Sequence, residues 1–572
     1  MMMNSRSIRT FVGRTHRLRL FSSSIIGADH PYVIRSPGPD IVVPSPTPNY
    51  NDFITQEFPK FGDKPAIVVA NMDGTSDVRT FNDLVADVDS VAYALRNQFG
   101  FGVGDTALLI SPNNADYFTC VHAALRLGGV LSPANPLYTS HEIKNQMKDS
   151  GSTLMIVHPM CLENAKGAIE LLKEEGDPRN IQVIVLGAEG MGGFEPLDAF
   201  KGTGNKVGSL GSVSDDALAV LPYSSGTTGL PKGTMLSHRN MVANTFQLDW
   251  VDRRFWDHGN EVVISPLPFF HIYGFMVSLN HTLFDGSTLV TTPAFDLVKF
   301  LELIQEHKVT KAHLVPPIIL GLAKHPIVDK YDLSSLKGIT SAAAPLGVEV
   351  EKATRERLGC IVKQGWGMSE LSPVGCVNPD DDVRSGSSGP PAASMLFKIV
   401  DTETGELLPR GQEGEIVCTG PNVMLGYLNN EEANKDIFDQ DGWMRTGDIG
   451  KADEDGYITL TDRLKELIKY KGFQVPPAEL EALLLTHPAI MDTAVIARPD
   501  PEGGEVPVAF VTFKPEQEVA PEEVANWVAE RVAPHKKLRG GVVPIDVIPK
   551  SASGKILRRL LVERDRAGEF TK

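Results

Sequence analysis

The sequence predicts an α/β protein: a large N-terminal domain of parallel β-sheets flanked by helices, followed by a small α+β domain. Short apolar runs with strand character alternate with helical runs through the first part of the chain, as in sheets wrapped by crossover helices. Beyond Asp462 the pattern changes to a helix, two strands and a second helix, the order of a compact α+β unit. At 572 residues, 42% apolar and 22% charged, the chain can bury more than one core, and no run approaches the ~18 apolar residues of a membrane helix.

Two function classes are argued against at once. A formal charge of −17 disfavours nucleic acid as the main partner, so any site for an anion must be locally basic. The five cysteines (Cys120, Cys161, Cys360, Cys376, Cys418) are scattered and odd in number, without a Cys-x-x-Cys, which predicts buried thiols and neither a disulfide framework nor a zinc site.

Taken in order, the chain opens on a basic stretch. Up to Ala28 it carries Arg6, Arg9, Arg14, Arg17 and Arg19, many serines and no acidic residue. That composition fits a mitochondrial presequence, with Arg19-Leu20-Phe21-Ser22 as a processing site cleaved after Phe21; a disordered basic tail on a cytoplasmic protein is the alternative. The proline-rich Ser36 to Pro48 must be extended and marks the start of the folded body. Strands are predicted at Ala66–Ala70, Ala107–Ile110 and Thr153–Val157, and helices at Phe81 to about Gln98 and at Ala115–Leu127. Ser111-Pro112-Asn113 and Ala134 to Thr139 fall at strand ends, where turn chemistry explains each residue.

The segment Leu221 to Gly233, LPYSSGTTGLPKG, follows a short apolar run, Ala217 to Leu221. A strand leading into such a loop can wrap phosphate. Gly226 and Gly229 free the backbone, Ser224, Ser225, Thr227 and Thr228 offer hydroxyls, and Lys232 adds a charge. A flexible linker is the plain alternative for a Ser/Gly run, and the order is not that of the usual nucleotide loop. Ser237 is placed to cap the helix that follows.

Further on, Val262–Ile264 leads into Pro266 to Gly274 (PLPFFHIYG), where His271 and Tyr273 stand among aromatics and fit either ordinary packing or a pocket wall. Two strand-then-turn segments follow. Ser341 to Gly347 is small enough to let an adenine lie on the backbone. Gln364-Gly365-Trp366-Gly367-Met368-Ser369-Glu370 supplies a stacking ring and oxygens, with Glu370 a candidate Mg²⁺ ligand. Asp448, at a glycine turn after Arg445-Thr446-Gly447, suits a ribose diol. In the last unit, helices are expected at Pro477–Leu485 and Pro521–Val532 and strands at Thr493–Ala497 and Ala509–Phe513.

These segments together, in order and with spacing intact beyond about residue 30, resemble the adenylate-forming superfamily of acyl-CoA synthetases, firefly-type luciferases and peptide-synthetase adenylation domains. Within it the chain is most like the 4-coumarate:CoA ligases. The resemblance implies the acyl-CoA synthetase-like fold, with a β-barrel-like subdomain in the large domain and a mobile C-terminal domain. It divides the chain into residues 29–462, a hinge at 463–465 and a small domain at 466–572. The implied reaction joins a small-molecule carboxylic acid to coenzyme A with ATP and Mg²⁺, through an acyl-adenylate. Medium-chain fatty acyl-CoA synthesis and luciferase-like oxygenation of an adenylate are the alternatives.

The same resemblance distributes roles. Residues 224 to 232 hold the phosphates, and Lys555, His271, Thr228 and Glu370 form the catalytic set, with Glu370 and Thr228 at the metal. Gln364, Gly365, Trp366, Ser369, Asp448 and Arg463 hold the nucleotide, and Lys465 is the pivot. Lys469, Lys471, Gly472 and Gln474 belong to the cofactor-binding face of the small domain. His271, Tyr273, Ala342, Gly365 and Val374 line the acid pocket. The chain departs from the plant ligases at Trp366 (usually tyrosine), Ala342 (usually glycine), Ala294 (usually lysine), His535 (usually tyrosine) and the less bulky Val374-Gly375.

Overall fold

The computed structural model describes residues 29–224, 231–471, 473–502, 504–515, 517, 519–551 and 554–570. The predicted presequence (1–28), Ser225, Gly226, Thr227, Thr228 and Gly229 of the phosphate loop, and Gly472 lie outside the described residues.

Two large, mainly parallel sheets form the body, as the alternation predicts. In one, Leu218–Val220, Val130–Ala134, Thr106–Ile110, Leu154–Val157 and Gln182–Val185 lie side by side in parallel. In the other, Ile361–Gly367, Gly338–Ser341, Lys311–Leu314, Val262–Ile264, Thr288–Thr291 and Pro65–Ala70 do the same, with an antiparallel strand at each edge. Thr106–Ile110 and Leu154–Val157 are buried at every position, which is why they read as unbroken apolar runs and not as alternating ones. A five-stranded antiparallel sheet, Ile34–Arg35, Leu396–Val400, Gly414–Thr419, Met444–Ala452 and Ile458–Arg463, provides the half-barrel.

A second five-stranded sheet, built from Ile468–Tyr470, Phe473–Val475, Ile490–Asp500, Gly504–Phe513 and Val542–Pro544, follows it in the chain. Its apolar core is its own: Ile468, Val475, Leu480, Val495, Val511 and Val528 cluster apart from the main core, which runs from Ile34 to Ile458. All five cysteines are buried and free. No helix among the described residues is long and apolar enough to cross a membrane.

Three local expectations are corrected. The helix expected from Ala115 starts at Tyr117, because the Asn114 side chain accepts the Asp116 N–H and holds the preceding residues in a turn. The helix expected to reach Val532 ends at Ala529: Pro534 forces Ala533 to extended backbone (φ −61°, ψ 152°), so the chain leaves the helix early. Tyr273–His281, where no regular element is expected, is a π-helix.

Candidate active site

The two ends of the phosphate segment are paired: Tyr223–Ser224 runs antiparallel to Lys232–Gly233. Gly233 is required by packing, since a Cβ there would come 2.9 Å from the Tyr223 ring. The return strand Lys232–Ser237 also pairs with Gly426–Tyr427, and that brings in a residue not singled out by its sequence context. Tyr427 lies with its ring centroid 4.9 Å from Lys232 Nζ and donates its hydroxyl to Glu370 Oε1 at 2.6 Å. Ser237 caps the helix His238–Asp252, accepting from the Asn240 N–H in a reciprocal box, while the Asn240 amide reaches the Pro421 and Val423 carbonyls.

Strands Gly338–Ser341 and Ile361–Gly367 are parallel neighbours, so the turns that follow them open at the same edge, the place where α/β sheets bind ligands. Ala342 and Ala343 lie in the first turn, Ala343 at φ 74°, a left-handed geometry uncommon outside glycine. Gln364 is fully engaged with protein: its Oε1 accepts from the Leu346 N–H at 3.0 Å and its Nε2 donates to Glu351 at 2.8 Å, so it braces that turn. Trp366, expected as a stacking ring, donates its indole N–H in the ring plane to Asp448 Oδ2 at 2.8 Å and lies edge-on to Phe397. A largely enclosed indole needs that acceptor. Across the adjoining pair Ile361–Gly367 and Val374–Val377, Gly365 stands opposite Val377 and Val374 opposite Gly367, and Ser369 begins the short turn that carries Glu370.

Asp448 stands opposite Arg463 in the half-barrel sheet, with Arg463 Nε 3.4 Å from its Oδ1. Burial pushes its carboxyl up, and the charge of Arg463 and the Trp366 hydrogen bond pull against that. Lys555 closes the site. Its amine is held down at about 8, by burial first and then by Arg463, against the attraction of Glu370 and Asp448. Gly554 leads it in, at φ 79° against the Val315 side chain.

His271 faces the same lysine: enclosure in the cleft and the Lys555 charge push its imidazole down to about 3. Its Nδ1 accepts from the Tyr273 N–H at 3.3 Å, so the neutral ring carries its proton on Nε2, as a donor. Tyr273 donates its hydroxyl to the Thr340 carbonyl at 3.2 Å. The loop before them is held by Asn113, read in the sequence as a turn residue. Its amide donates to the Leu267 carbonyl and to Thr291, and its carbonyl accepts from the Phe269 N–H at 2.8 Å.

Lys232, Glu370, Trp366, Asp448, Arg463, Lys555 and His271 are thus linked around one cleft. Lys465, Lys469, Lys471 and Gln474 lie exposed on the small portion, where Phe473 stacks on His535 at 4.7 Å. Between the two groups, Asp462 accepts the Arg463 N–H and, at 2.8 Å, the Ala478 N–H in the first turn of helix Pro477–Leu484. Burial pushes its carboxyl up to about 7. Glu370 fits a hard divalent cation: it is an enclosed carboxylate whose one donor partner, Tyr427, leaves lone pairs over. No cluster of three metal-ligating side chains exists among the described residues.

Comparison with known proteins gives a consistent picture. Residues 54–428 match the AMP-binding enzyme family, and residues 479–555 match the AMP-binding enzyme C-terminal domain. The chain is 41% identical to the probable 4-coumarate–CoA ligase 3 of Dictyostelium discoideum over 86% of its own length and 91% of the relative's. It is 40% identical to 4-coumarate–CoA ligase 1 of Petroselinum crispum over 94% and 98%. Among solved structures it is similar to the anthranilate CoA ligase AuaEII in complex with anthranoyl-AMP (TM-score 0.82, 26% identity, 91% of this chain and 98% of that one). It is also similar to ATP-bound MatB from Rhodopseudomonas palustris (TM-score 0.79, 29% identity, 90% and 98%).

Proposed function

This chain belongs to the AMP-binding enzyme family and is an AMP-forming acid–CoA ligase resembling the 4-coumarate:CoA ligases, and from that premise we propose that its acid is a hydroxycinnamate or a related aryl acid. The observation that carries the reading is the convergence of Lys555, Arg463, Asp448 and Glu370 within electrostatic reach, with a neutral, proton-donating His271 beside them. In the first half-reaction a carboxylate oxygen of the acid bonds to the α-phosphorus of ATP, the α–β bridging bond breaks, and pyrophosphate leaves.

Such a transfer is catalysed by positioning and by charge placed where negative charge builds up. Lys555 and the 224–232 segment meet the phosphates, Asp448 accepts from the ribose hydroxyls, and His271 Nε2–H orients the acid. Glu370 and Thr228 would hold Mg²⁺, which would neutralise charge at the phosphates when bound. In the second half the CoA sulfur bonds to the acyl carbonyl carbon, the bond from that carbon to the AMP phosphate oxygen breaks, AMP leaves with the electron pair, and the thiol proton passes to solvent. Pyrophosphate leaves and the thiol arrives by the same corridor, so the small domain, residues 466–572, swings about 463–465 between halves, withdrawing Lys555 and presenting Lys469, Lys471, Gly472 and Gln474.

The test is to incubate residues 29–572 with ATP, Mg²⁺, CoA and a panel of cinnamic, benzoic and fatty acids, and to read products by mass spectrometry. Coumaroyl- or cinnamoyl-CoA with AMP is the expected outcome. An acid–AMP product without thioester, or thioester from fatty acids only, overturns it.

A further inference from the structure

Beneath the acid pocket lies a buried set of charged side chains that the ligase reaction does not use. Tyr273 and Val277 stand one turn apart on the π-helix, and Tyr273 is bonded to the carbonyl of Thr340. Thr340 and Val277 together line a cavity of about 20 Å³, so this space begins where the predicted pocket ends. Its far wall is ionic. Lys311 and His313 come from one strand, Lys363 from a parallel strand beyond its neighbour, His281 from the end of the π-helix and Asp252 from the helix His238–Asp252. A second cavity of about 10 Å³ shares Asp252, His281, Lys311 and His313.

The cations are matched where they stand. Lys311 pairs with Asp252 and lies 5.0 Å from the Trp256 ring centroid; Lys363 donates to Asp380 at 2.6 Å, and Trp256 Nε1 donates to the same carboxylate at 3.1 Å. Burial pushes the imidazoles of His281 and His313 down, so both are neutral, and His281 Nε2 is buried with no protein partner. A polar void needs roughly 10–15 Å³ for one water, so these two hold about one each and nothing larger.

We propose that this floor of buried ion pairs is a length stop: it restricts the enzyme to acids about as long as cinnamate and rejects extended aliphatic chains. A chain pushed past Thr340 would displace water from His281 and lay methylenes against paired charges, losing polar contacts without gaining apolar ones. The assignment deepens the ligase reading and rests on its placing the acid at Tyr273.

The test replaces a whole pair, Lys311→Ile with Asp252→Val, since removing both members leaves no lone buried charge and apolar replacements of this kind are commonly tolerated. kcat/KM is measured with cinnamate, hexanoate and decanoate, alongside melting temperature. Wild-type enzyme is expected to turn over decanoate far more slowly than cinnamate. In the variant the decanoate-to-cinnamate ratio is expected to rise by about tenfold or more, the scale on which a pocket discriminates one methylene.

Lys363→Leu with Asp380→Leu attacks the other pair, should give the same change, and serves if the first variant does not fold. General damage lowers both rates and leaves the ratio unmoved, and that result overturns the proposal. So does a wild-type preference for decanoate. Should no form activate any acid, the ligase reading falls and the length stop falls with it; activity on cinnamate with an unmoved ratio removes the length stop alone.

Discussion

The nucleotide side and the acid side of this cleft are built by different means. The nucleotide side is assembled from compact runs at the ends of strands, in which backbone turns and hydroxyls lie within a few residues of one another: 224–232, 341–347, 364–370 and 445–448. The proposed acid side is assembled from side chains that reach backbone carbonyls distant in sequence only after folding, such as Tyr273 at Thr340 and Asn113 at Leu267. A site that must recognise one invariant ligand is served by local backbone geometry. A site whose ligand varies is served by separate side chains, each replaceable without disturbing the others.

That contrast makes predictions that would break or sharpen it. The largest concerns Lys555→Ala, which should slow adenylation by roughly 10²–10³, the scale of losing one preorganised charge donor. The loss should be equal for every acid and much smaller when a preformed acyl-adenylate reacts with CoA; a loss that depends on the acid would break the distinction. The pH dependence has a definite sign. The amine works charged and titrates at about 8, so pyrophosphate exchange should fall as pH rises through about 8. Stability should move the other way. Between about 8 and 10.5 the unfolded amine holds a proton the native one has lost, so the free energy of unfolding should rise with pH across that window.

An intermediate effect is expected on the acid side. Tyr273→Phe removes the donor to Thr340, a bond worth about 1 kcal/mol net, and should change relative kcat/KM among aryl acids by about fivefold while KM for ATP stays put. The smallest belongs to the scaffold between the two sides. Ser237→Ala removes the cap of helix His238–Asp252 and should cost about 1 kcal/mol in denaturant unfolding, with both half-reactions unchanged.

Legibility in the sequence follows the same division. The parallel sheets were readable because strands buried on both faces are continuous apolar runs, and the proposed nucleotide motifs could be singled out because their residues are contiguous. Tyr427 was not, since the carboxylate it serves lies 57 positions away. Lys311, His313 and Lys363 were hidden by their residue types, which are expected at surfaces and become interior only through partners such as Asp252 and Asp380 on other elements. The π-helix was hidden for another reason. Gly274-Phe275-Met276-Val277-Ser278-Leu279 is buried all round and shows no one-sided period. Trp366 shows the limit of residue type alone: an indole beside a glycine suggests a stacking ring, and the bond from its N–H to the distant Asp448 is visible only in the fold.

Arg558, just past Lys555, donates to Glu466 at 2.6 Å and to both oxygens of Glu481, and Glu466 sits immediately after the hinge. The beginning and the end of the small domain are thereby riveted together, with Lys555 on the far side of the rivet. On the proposed hinge, rotation at residues 463–465 would reach the lysine without slack, as through a gear train and not a tether. The two proposed half-reactions would be kept in sequence by that gearing: the tooth that leaves the phosphates and the tooth that admits the thiol would be cut on one wheel.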